Sequence, residues 1–307
     1  MLRSLVGSEM CIRDRYYEGP LNSCKLDDKL YGLPFGSNCL ALFYNEDMLA
    51  DAGCEAPTTW DELKDVAQKT TQGNVTGFAM CCLQNEEGTF NFTPWLWSTG
   101  ATSYDINNDN GIKALTLVKD LVDAGSMSKE VINWTQGDVM NQFISGNIAM
   151  MVNGPWQVPT MREQAPDLNW DVTLLPKDAE YASCLGGENF GVIDGDNVDA
   201  ALDFLQFATS KDEVASYIDD FGYIAARKDV AEGQFTDDET MQKFTEEMQY
   251  AQPRGPHAQW PEISDALSLA VNESITGTST PADAAAKAQS TIAVSYTHLT
   301  LPTKRIV

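Results

Sequence analysis

Apolar strand-like runs alternate with helical patterns between residues 16 and 293, and this alternation constrains the fold more than any other feature of the sequence. The run at 31–44 opens with turn residues and ends as an apolar strand, and Thr59-Trp60-Asp61-Glu62 then has the pattern of a capping box at a helix start. Further helices are predicted at about 198–209, 211–220, 237–250, 261–275 and 281–292. Strands that alternate with helices predict an α/β architecture.

Length and charge narrow the class of protein. A chain of 307 residues exceeds one ordinary core, so we expect two domains or lobes. The 45 acidic and 20 basic residues give a formal net charge of −25, which would repel nucleic acid and anionic membrane surfaces. No apolar run approaches the roughly 18 residues that a membrane-spanning helix needs. We therefore expect neither nucleic acid nor an anionic membrane surface as a partner.

The two ends of the chain differ from the rest. Residues 1–15 and 294–307 each carry a net positive charge, whereas the residues between them are strongly acidic. Neither end continues the periodicity of its neighbour, and the first lacks the apolar segment of a signal peptide. Both strings resemble translated sequencing-adapter sequence. We therefore expect that neither is native and that the domains lie within residues 16–293.

No recognised catalytic motif is present. The sequence lacks G-x-S-x-G, H-E-x-x-H, the P-loop pattern and a G-x-G-x-x-G that follows a strand. Outside the two ends, His257 is the one histidine, and its neighbours Pro253, Gly255 and Pro256 predict a solvated loop. Six scattered cysteines show no zinc-ligand spacing and are predicted to be small buried residues. These patterns favour a protein that is not an enzyme and uses neither a cofactor nor a metal, while the 45 acidic residues leave a catalytic pair of carboxylates open.

Tryptophans supply the clearest chemical signal. The chain has seven, of which Trp60, at a helix start, and Trp170, in an apolar strand, are predicted to pack in the core. The C–H face of a sugar ring stacks on an indole ring, while amide and carboxylate side chains bind the sugar hydroxyls. Four other tryptophans lie in or beside turns rich in Gly, Pro, Asn and Thr, and this combination predicts a sugar site: Trp95, Trp134, Trp156 and Trp260.

Five stretches carry a family resemblance: YGLPFGSN at 31–38 with LFYN at 42–45, PTTWDEL at 57–63, FISGNIAMMVNGPW at 143–156, GGENFGV at 186–192 and PADAA at 281–285. In order and spacing they resemble extracellular solute-binding proteins of the carbohydrate type, in the maltose- and oligosaccharide-binding branch of ABC importers. The resemblance covers nearly all of residues 20–293. It is highly specific for the family and weakly specific for the ligand.

The resemblance implies a two-lobe, periplasmic-binding-protein-like α/β fold of type II, with hinge strands and a solute bound in the cleft between the lobes. It assigns 16–38 and 186–239 to a partial N-terminal lobe, and 39–185 and 240–293 to a C-terminal lobe. The N-terminal lobe would lack the first part of its sheet. We therefore expect an N-terminally truncated fragment of low stability.

The resemblance also implies site residues, position by position. Asn38 stands where the family has a polar ligand at the hinge, and Trp156, after Asn-Gly-Pro, matches its stacking tryptophan. The other implied ligand-binding residues are Phe92 and Trp95 as an aromatic wall, Glu188 and Asn189 after the return crossing, and, at approximate spacing, Trp134 and Trp260. It implies no catalytic residue and no metal ligand.

The implied function is capture of a sugar or oligosaccharide and its delivery to the permease of an ABC importer. The protein would be a monomer outside the cytoplasmic membrane, either periplasmic or a cell-surface lipoprotein. Two alternatives stay open. One is a binding protein of the same fold for another solute such as a polyamine, which would suit an acidic chain. The other is a glycoside hydrolase, which would need a pair of carboxylates in a sugar cleft.

Overall fold

The structure is a computed structural model that describes residues 15–26 and 29–297. The expectation that the two ends are not native therefore lies mostly outside the described residues. At the second end, the last helix continues through 294–297. The strands are β1 (Lys25–Leu26), β2 (Lys29–Leu30), β3 (Gly32–Pro34), β4 (Ala41–Asn45), β5 (Thr76–Ala79), β6 (Ile148–Asn153), β7 (Trp170–Thr173), β8 (Ser183–Leu185), β9 (Asn189–Gly191) and β10 (Ala251–Pro253).

Helices occupy most of the remaining described residues. Short 3₁₀ turns at Lys129–Asn133, Asp219–Phe221 and Met248–Tyr250 connect some of them. The α-helices are α1 (Glu18–Ser23), α2 (Glu46–Asp51), α3 (Trp60–Thr70), α4 (Glu86–Ser98), α5 (Asp109–Asp123), α6 (Gln136–Ile144), α7 (Gln157–Gln164), α8 (Val198–Ala208), α9 (Lys211–Tyr217), α10 (Lys228–Ala231), α11 (Glu239–Glu247), α12 (Trp260–Thr276) and α13 (Pro281–Thr297).

The capping box predicted at Thr59 is confirmed at the start of α3. Thr59 Oγ1 accepts a hydrogen bond from the Glu62 N–H at 3.3 Å, and Glu62 Oε2 accepts one from the Thr59 N–H at 3.2 Å. These bonds satisfy N–H groups that have no partner inside the helix. Leu63, Val66 and Ala67 then face the core, as the helical spacing predicts.

The described residues form two compact units, and the α/β two-lobe fold class is confirmed. Unit 1 contains the described residues up to Ala41, Gly154–Asp167 and Ser183–Pro256. Unit 2 contains Leu42–Asn153, Leu168–Ala182 and the described residues from His257 onward.

These bounds differ from the predicted lobes at two long segments, and by three residues each at 39–41 and 183–185. Gly154–Asp167 belongs to unit 1, where Arg162 in α7 donates to both carboxylate oxygens of Asp238 at 2.7 and 2.8 Å. The segment 240–256 also belongs to unit 1, because β10 pairs with β8 and the Phe244 side chain is fully buried. Both contacts join residues far apart in the chain, which local sequence patterns do not report.

Unit 2 is built on a four-stranded sheet in the order β5-β6-β4-β7. β5 and β6 are parallel, whereas β4 and β7 are antiparallel with Leu42 opposite Thr173 and Asn45 opposite Trp170. All six residues of β6 are buried, as expected for a strand covered on both faces. Helix α12 packs against α4, α5 and α13, which places the start of α12 beside the start of α4.

The segment around Trp95 was predicted to be a loop, and this prediction is wrong because the segment lies in helix α4. The structure has a continuous helix over Glu86–Ser98 with Pro94 inside it. A proline lacks the N–H that would bind the carbonyl one turn earlier, here that of Phe90. The Thr93 hydroxyl donates to this Phe90 oxygen at 3.3 Å and so supplies the missing bond.

The sheets of unit 1 are short and two-stranded. β3 and β9 are antiparallel with Leu33 opposite Phe190, β8 and β10 are parallel, and single bridges join Ser37 to Ile224 and Tyr16 to Arg227. Several large apolar side chains of this unit are exposed: Leu26, Ile193, Phe204, Phe207 and Phe221.

Candidate functional site

The amino-terminal turn of α4 is where unit 2 gathers its candidate residues. Asn85 caps the helix, and its Oδ1 accepts a hydrogen bond from the Gly88 N–H at 3.1 Å. Glu86 and Glu87 follow in the first turn, where the helix dipole favours negative charge. Their carboxylates bind two different segments, each of which carries one of the predicted tryptophans.

Glu86 holds the indole ring of Trp260. The Trp260 Nε1–H donates to the carboxylate, with the nitrogen 2.9 Å from each oxygen. Ser264, on the next turn of α12, donates a short hydrogen bond to Glu86 Oε2, and its own carbonyl accepts from Thr89 Oγ1 at 2.8 Å. Glu86 is exposed and Trp260 is half-buried. A carboxylate is thus fixed beside an indole ring at the surface, the two groups that bind a sugar hydroxyl and a sugar face.

Glu87 holds the segment that carries Trp134. Its Oε1 accepts a hydrogen bond from the backbone N–H of Gln136 at 2.6 Å. Thr135 and Asp138 form a capping box at the start of α6, and the hydrogen bonds from Thr135 lower the pKa of the Asp138 carboxyl. Trp134 is half-buried and directly precedes this cap. Unit 2 therefore brings both of these tryptophans to the same end of α4.

Phe92 and Trp95 lie in the core of unit 2. Their exposed fractions are 0% and 2%. The Trp95 ring meets Phe78 edge-on at 5.8 Å and lies 6.2 Å from the ring of Trp60. A wall that stacks on a solute must offer an exposed ring face, whereas these two residues have a packing environment.

Asn38 and Asn189 lie in unit 1. Asn38 exchanges two backbone hydrogen bonds with Gly186, at 3.1 and 2.8 Å, and its side chain is almost fully buried. Asn189 lies opposite Pro34 in the β3–β9 ladder and is exposed. Its Nδ2 donates to the Ser23 hydroxyl at 3.0 Å, so the structure ties this amide to α1.

Glu188 is an exposed carboxylate beside a group of aromatic rings in unit 1. Its Oε1 accepts a hydrogen bond from the Tyr223 hydroxyl at 2.9 Å. Burial, with a further contribution from the Glu188 charge, raises the pKa of Tyr223 to about 12, so this hydroxyl stays a donor at neutral pH. Four rings have centroids 5.2–6.2 Å from that of Phe35: Phe190, Tyr217, Phe221 and Tyr223.

Trp156 is half-buried at the start of α7, and two glycines position it. A Cβ added to Gly154 would collide with the Trp156 ring, so the indole lies directly over the backbone of its own turn. Gly222 has a φ of 65°, and a Cβ there would lie 2.5 Å from the Pro155 carbonyl oxygen. The Asn-Gly-Pro-Trp turn therefore packs against a loop that accepts only glycine at 222.

Sequence reasoning missed Glu86, Glu87 and Ser264. Asn85 followed by two acidic residues is a helix-start signal that could have found the two glutamates. Nothing around Ser264 indicates its role, because its partner Glu86 lies 178 positions earlier in the chain.

Residues 15–26 and 29–297, the part of the chain that the structure describes, offer little other chemistry. In that range, no three metal-ligating side chains are grouped to hold an ion, and no helix has the length and apolarity to cross a bilayer. Five of its six cysteines are buried, as predicted. Burial raises the pKa of the Cys81 thiol to about 12, so this thiol is unreactive at neutral pH.

Comparison with known proteins gives one family match and several relatives. The family described as bacterial extracellular solute-binding protein matches residues 16–243. A binding protein of Brucella abortus is 29% identical over 293 residues, which are 90% of this chain and 71% of that protein. The galactooligosaccharide-binding protein of Bacillus subtilis is 23% identical over 295 residues, which are 91% of this chain and 69% of that protein.

Solved structures agree with this match. A solute-binding protein of an ABC transporter from Thermotoga lettingae, bound to α-D-tagatose, is 26% identical with a TM-score of 0.85, over 95% of this chain and 80% of that one. A maltose-bound protein of T. maritima has a TM-score of 0.86 over the same shares at 24% identity, and this likeness shows the fold alone.

Proposed function

The chain belongs to the family of bacterial extracellular solute-binding proteins, and we propose that it captures a sugar or an oligosaccharide for the permease of an ABC importer. It binds the ligand and releases it chemically unchanged, so it is a binding protein and not an enzyme. It works as a monomer outside the cytoplasmic membrane, in the periplasm or as a surface lipoprotein.

One observation carries the proposal: the Glu86 carboxylate is held beside the half-buried Trp260 ring by two donors, the indole N–H and the Ser264 hydroxyl. A carboxylate in a fixed direction binds a sugar hydroxyl through a charge-assisted hydrogen bond, and the neighbouring indole face stacks on the sugar C–H groups. Because the pair is already ordered, less conformational entropy is lost when a ligand binds.

Each unit has its own proposed binding residues. In unit 2 they are Glu86, Trp134 and Trp260, and in unit 1 they are Asn38, Trp156, Glu188 and Asn189. Phe92 and Trp95 are omitted, because stacking on a sugar needs an exposed ring face and both rings are packed in the core of unit 2. Binding should therefore fall for variants in either unit.

The names of relatives support a sugar as ligand. They include a galactooligosaccharide-binding protein, a lactose-binding protein and an arabinooligosaccharide-binding protein. These ligands share ring hydroxyls and an apolar C–H face, which match the Glu86 and Trp260 groups. The ligand class, rather than one sugar, is what we carry over to this chain.

Calorimetry with a panel of defined solutes tests the proposal. The purified chain is titrated with maltose, lactose, arabinooligosaccharide and galactooligosaccharide, with spermidine as a polyamine control, and each mixture is then analysed for new reducing ends. We expect heat and tryptophan fluorescence change with at least one sugar, and no product. Heat with spermidine alone, or catalytic release of reducing ends, would replace the proposal by one of its two alternatives.

A further inference from the structure

Gln136, in unit 2, is held on both sides of its Cα by the side chains of other segments. Glu87 Oε1 accepts from the Gln136 N–H at 2.6 Å, and Asn153 Nδ2 donates to the Gln136 carbonyl oxygen at 2.9 Å. Asn153 is fully buried, and Glu87 is half-buried. We refer to these two bonds as the Gln136 clamp.

The clamp does more than start helix α6. Thr135 Oγ1 already accepts from the Asp138 N–H at 3.0 Å, and Asp138 Oδ2 accepts from the Thr135 N–H at 2.9 Å. This capping box alone gives the helix a stable start. A half-buried carboxylate also costs desolvation free energy, so Glu87 is a costly choice for capping alone.

The Gln136 side chain does not fix this segment. Its Nε2 is buried without a hydrogen-bond partner among the described residues. The position of the backbone at 136 therefore depends on Glu87 and Asn153. Trp134 lies two residues earlier, so the same two bonds limit where its indole ring can lie.

We propose that Glu87 and Asn153 are positioning residues that hold Trp134 as a stacking surface for the ligand. The inference rests on the proposed function. Glu87 follows Glu86, which holds Trp260, and Asn153 directly precedes the Gly154–Trp156 turn. The two bonds of the clamp thus fix the position of the backbone that carries Trp134, relative to both the start of α4 and the end of β6.

Substitutions at Glu87 test the clamp without requiring a ligand. Acrylamide quenching of Trp134 emission is obtained as the difference between each protein and its Trp134→Phe counterpart. Glu87→Ala removes the acceptor and should increase this quenching, whereas Glu87→Gln keeps an acceptor oxygen and should retain the wild-type value. Glu130→Ala is the matched control, because Glu130 is an exposed acidic residue near Trp134 that bonds Asn133 and not Gln136.

Affinity for the tightest-binding sugar among maltose, lactose, arabinooligosaccharide and galactooligosaccharide gives the second readout. Loss of one bond to a charged group should weaken binding by about tenfold in Glu87→Ala, with Glu87→Gln and Glu130→Ala close to wild type. In the Trp134→Ala background, which lacks the stacking ring, Glu87→Ala should cause no further loss. Unchanged quenching in Glu87→Ala, or an equal affinity loss with and without Trp134, would overturn the inference.

A second variant and the ligand-free quenching measurement distinguish failure of the clamp proposal from failure of the proposed function. If Glu87→Ala fails to fold, Asn153→Leu removes the other bond while it keeps the number and branching of the side-chain heavy atoms, and it is judged by the same two criteria. If no sugar in the panel binds to the wild type, the proposed function fails. The quenching experiment then still decides the clamp, because increased quenching supports the positioning of Trp134 and unchanged quenching refutes it.

Discussion

The indole nitrogen of Trp260 lies 2.9 Å from both carboxylate oxygens of Glu86, although 174 positions separate the two residues in the sequence. The contact joins the first residue of α12 to the first residue of α4. This single contact fixes both the direction of an exposed carboxylate and the plane of a half-buried ring. The binding prediction for Trp260 depends on this pair.

Removal of the Trp260 ring should weaken sugar binding. We expect Trp260→Ala to lose about 1–3 kcal/mol of binding free energy, because a stacking surface disappears. Trp260→Phe keeps a ring but loses the N–H, so its loss should be about 0.5–1.5 kcal/mol. Trp170→Phe, in the sheet of unit 2, is the control and should bind like the wild type by calorimetry. A folded Trp260→Ala variant with wild-type affinity would exclude this residue from the site.

Trp156 should behave as a second stacking surface. Trp156→Ala is expected to weaken sugar binding by about 1–3 kcal/mol, while circular dichroism shows a folded chain. Gly154→Ala should have a similar effect, because a Cβ there collides with the Trp156 ring and displaces it. If both variants fold and bind normally, the turn that carries Trp156 has no part in ligand binding.

The Arg162–Asp238 pair should contribute to stability in a pH-dependent way. Hydrogen bonds from Arg162 are the main cause of a lowered Asp238 pKa. The stabilisation is therefore complete above the pKa of an unfolded aspartate, about 3.9, and is lost as pH falls through the lower folded value. Asp238→Ala should cost about 1 kcal/mol at pH 7, since it also removes the cap of α11.

Urea unfolding of the wild type and Asp238→Ala at several pH values checks this expectation. The difference in unfolding free energy should shrink as the pH is lowered below about 4. A difference that grows in acid would contradict the assigned direction of the pKa shift.

Helix α8 of unit 1 allows a matched test of exposed and buried side chains. Leu205 is 3% exposed, whereas Phe207 is 58% exposed. Leu205→Ala should cost about 2–5 kcal/mol of unfolding free energy, and Phe207→Ser should stay within about 0.5 kcal/mol of the wild type. A large loss of stability in Phe207→Ser would show that this ring is buried in solution.

Local signals predicted those parts of the fold that neighbouring residues determine. The Thr59–Glu62 box starts α3 as expected, and the predicted helix at 281–292 is the core of α13. The α/β class followed from the alternation of strands and helices. Each of these features depends on residues within one or two turns of each other.

The features that the sequence did not predict depend mostly on contacts between residues far apart in the chain. The α4 helix was missed because Pro94 reads as a breaker, and its effect is offset by the Thr93 hydroxyl. Glu86 has no local feature that points to Trp260. Segments 154–167 and 240–256 were assigned to the other lobe, since the Arg162–Asp238 pair and the β8–β10 ladder become visible only in three dimensions.

Indole N–H resonances give the most direct test of whether a sugar contacts the three tryptophans that we propose as binding residues. The chain has seven tryptophans, so the ¹⁵N-labelled protein should show seven indole signals, assigned by single Trp→Phe substitutions. During titration with a sugar that binds, we predict that the signals of Trp134, Trp156 and Trp260 shift, while those of the buried Trp60, Trp95 and Trp97 stay in place. Unmoved signals from Trp134, Trp156 and Trp260 at saturating sugar would contradict the account.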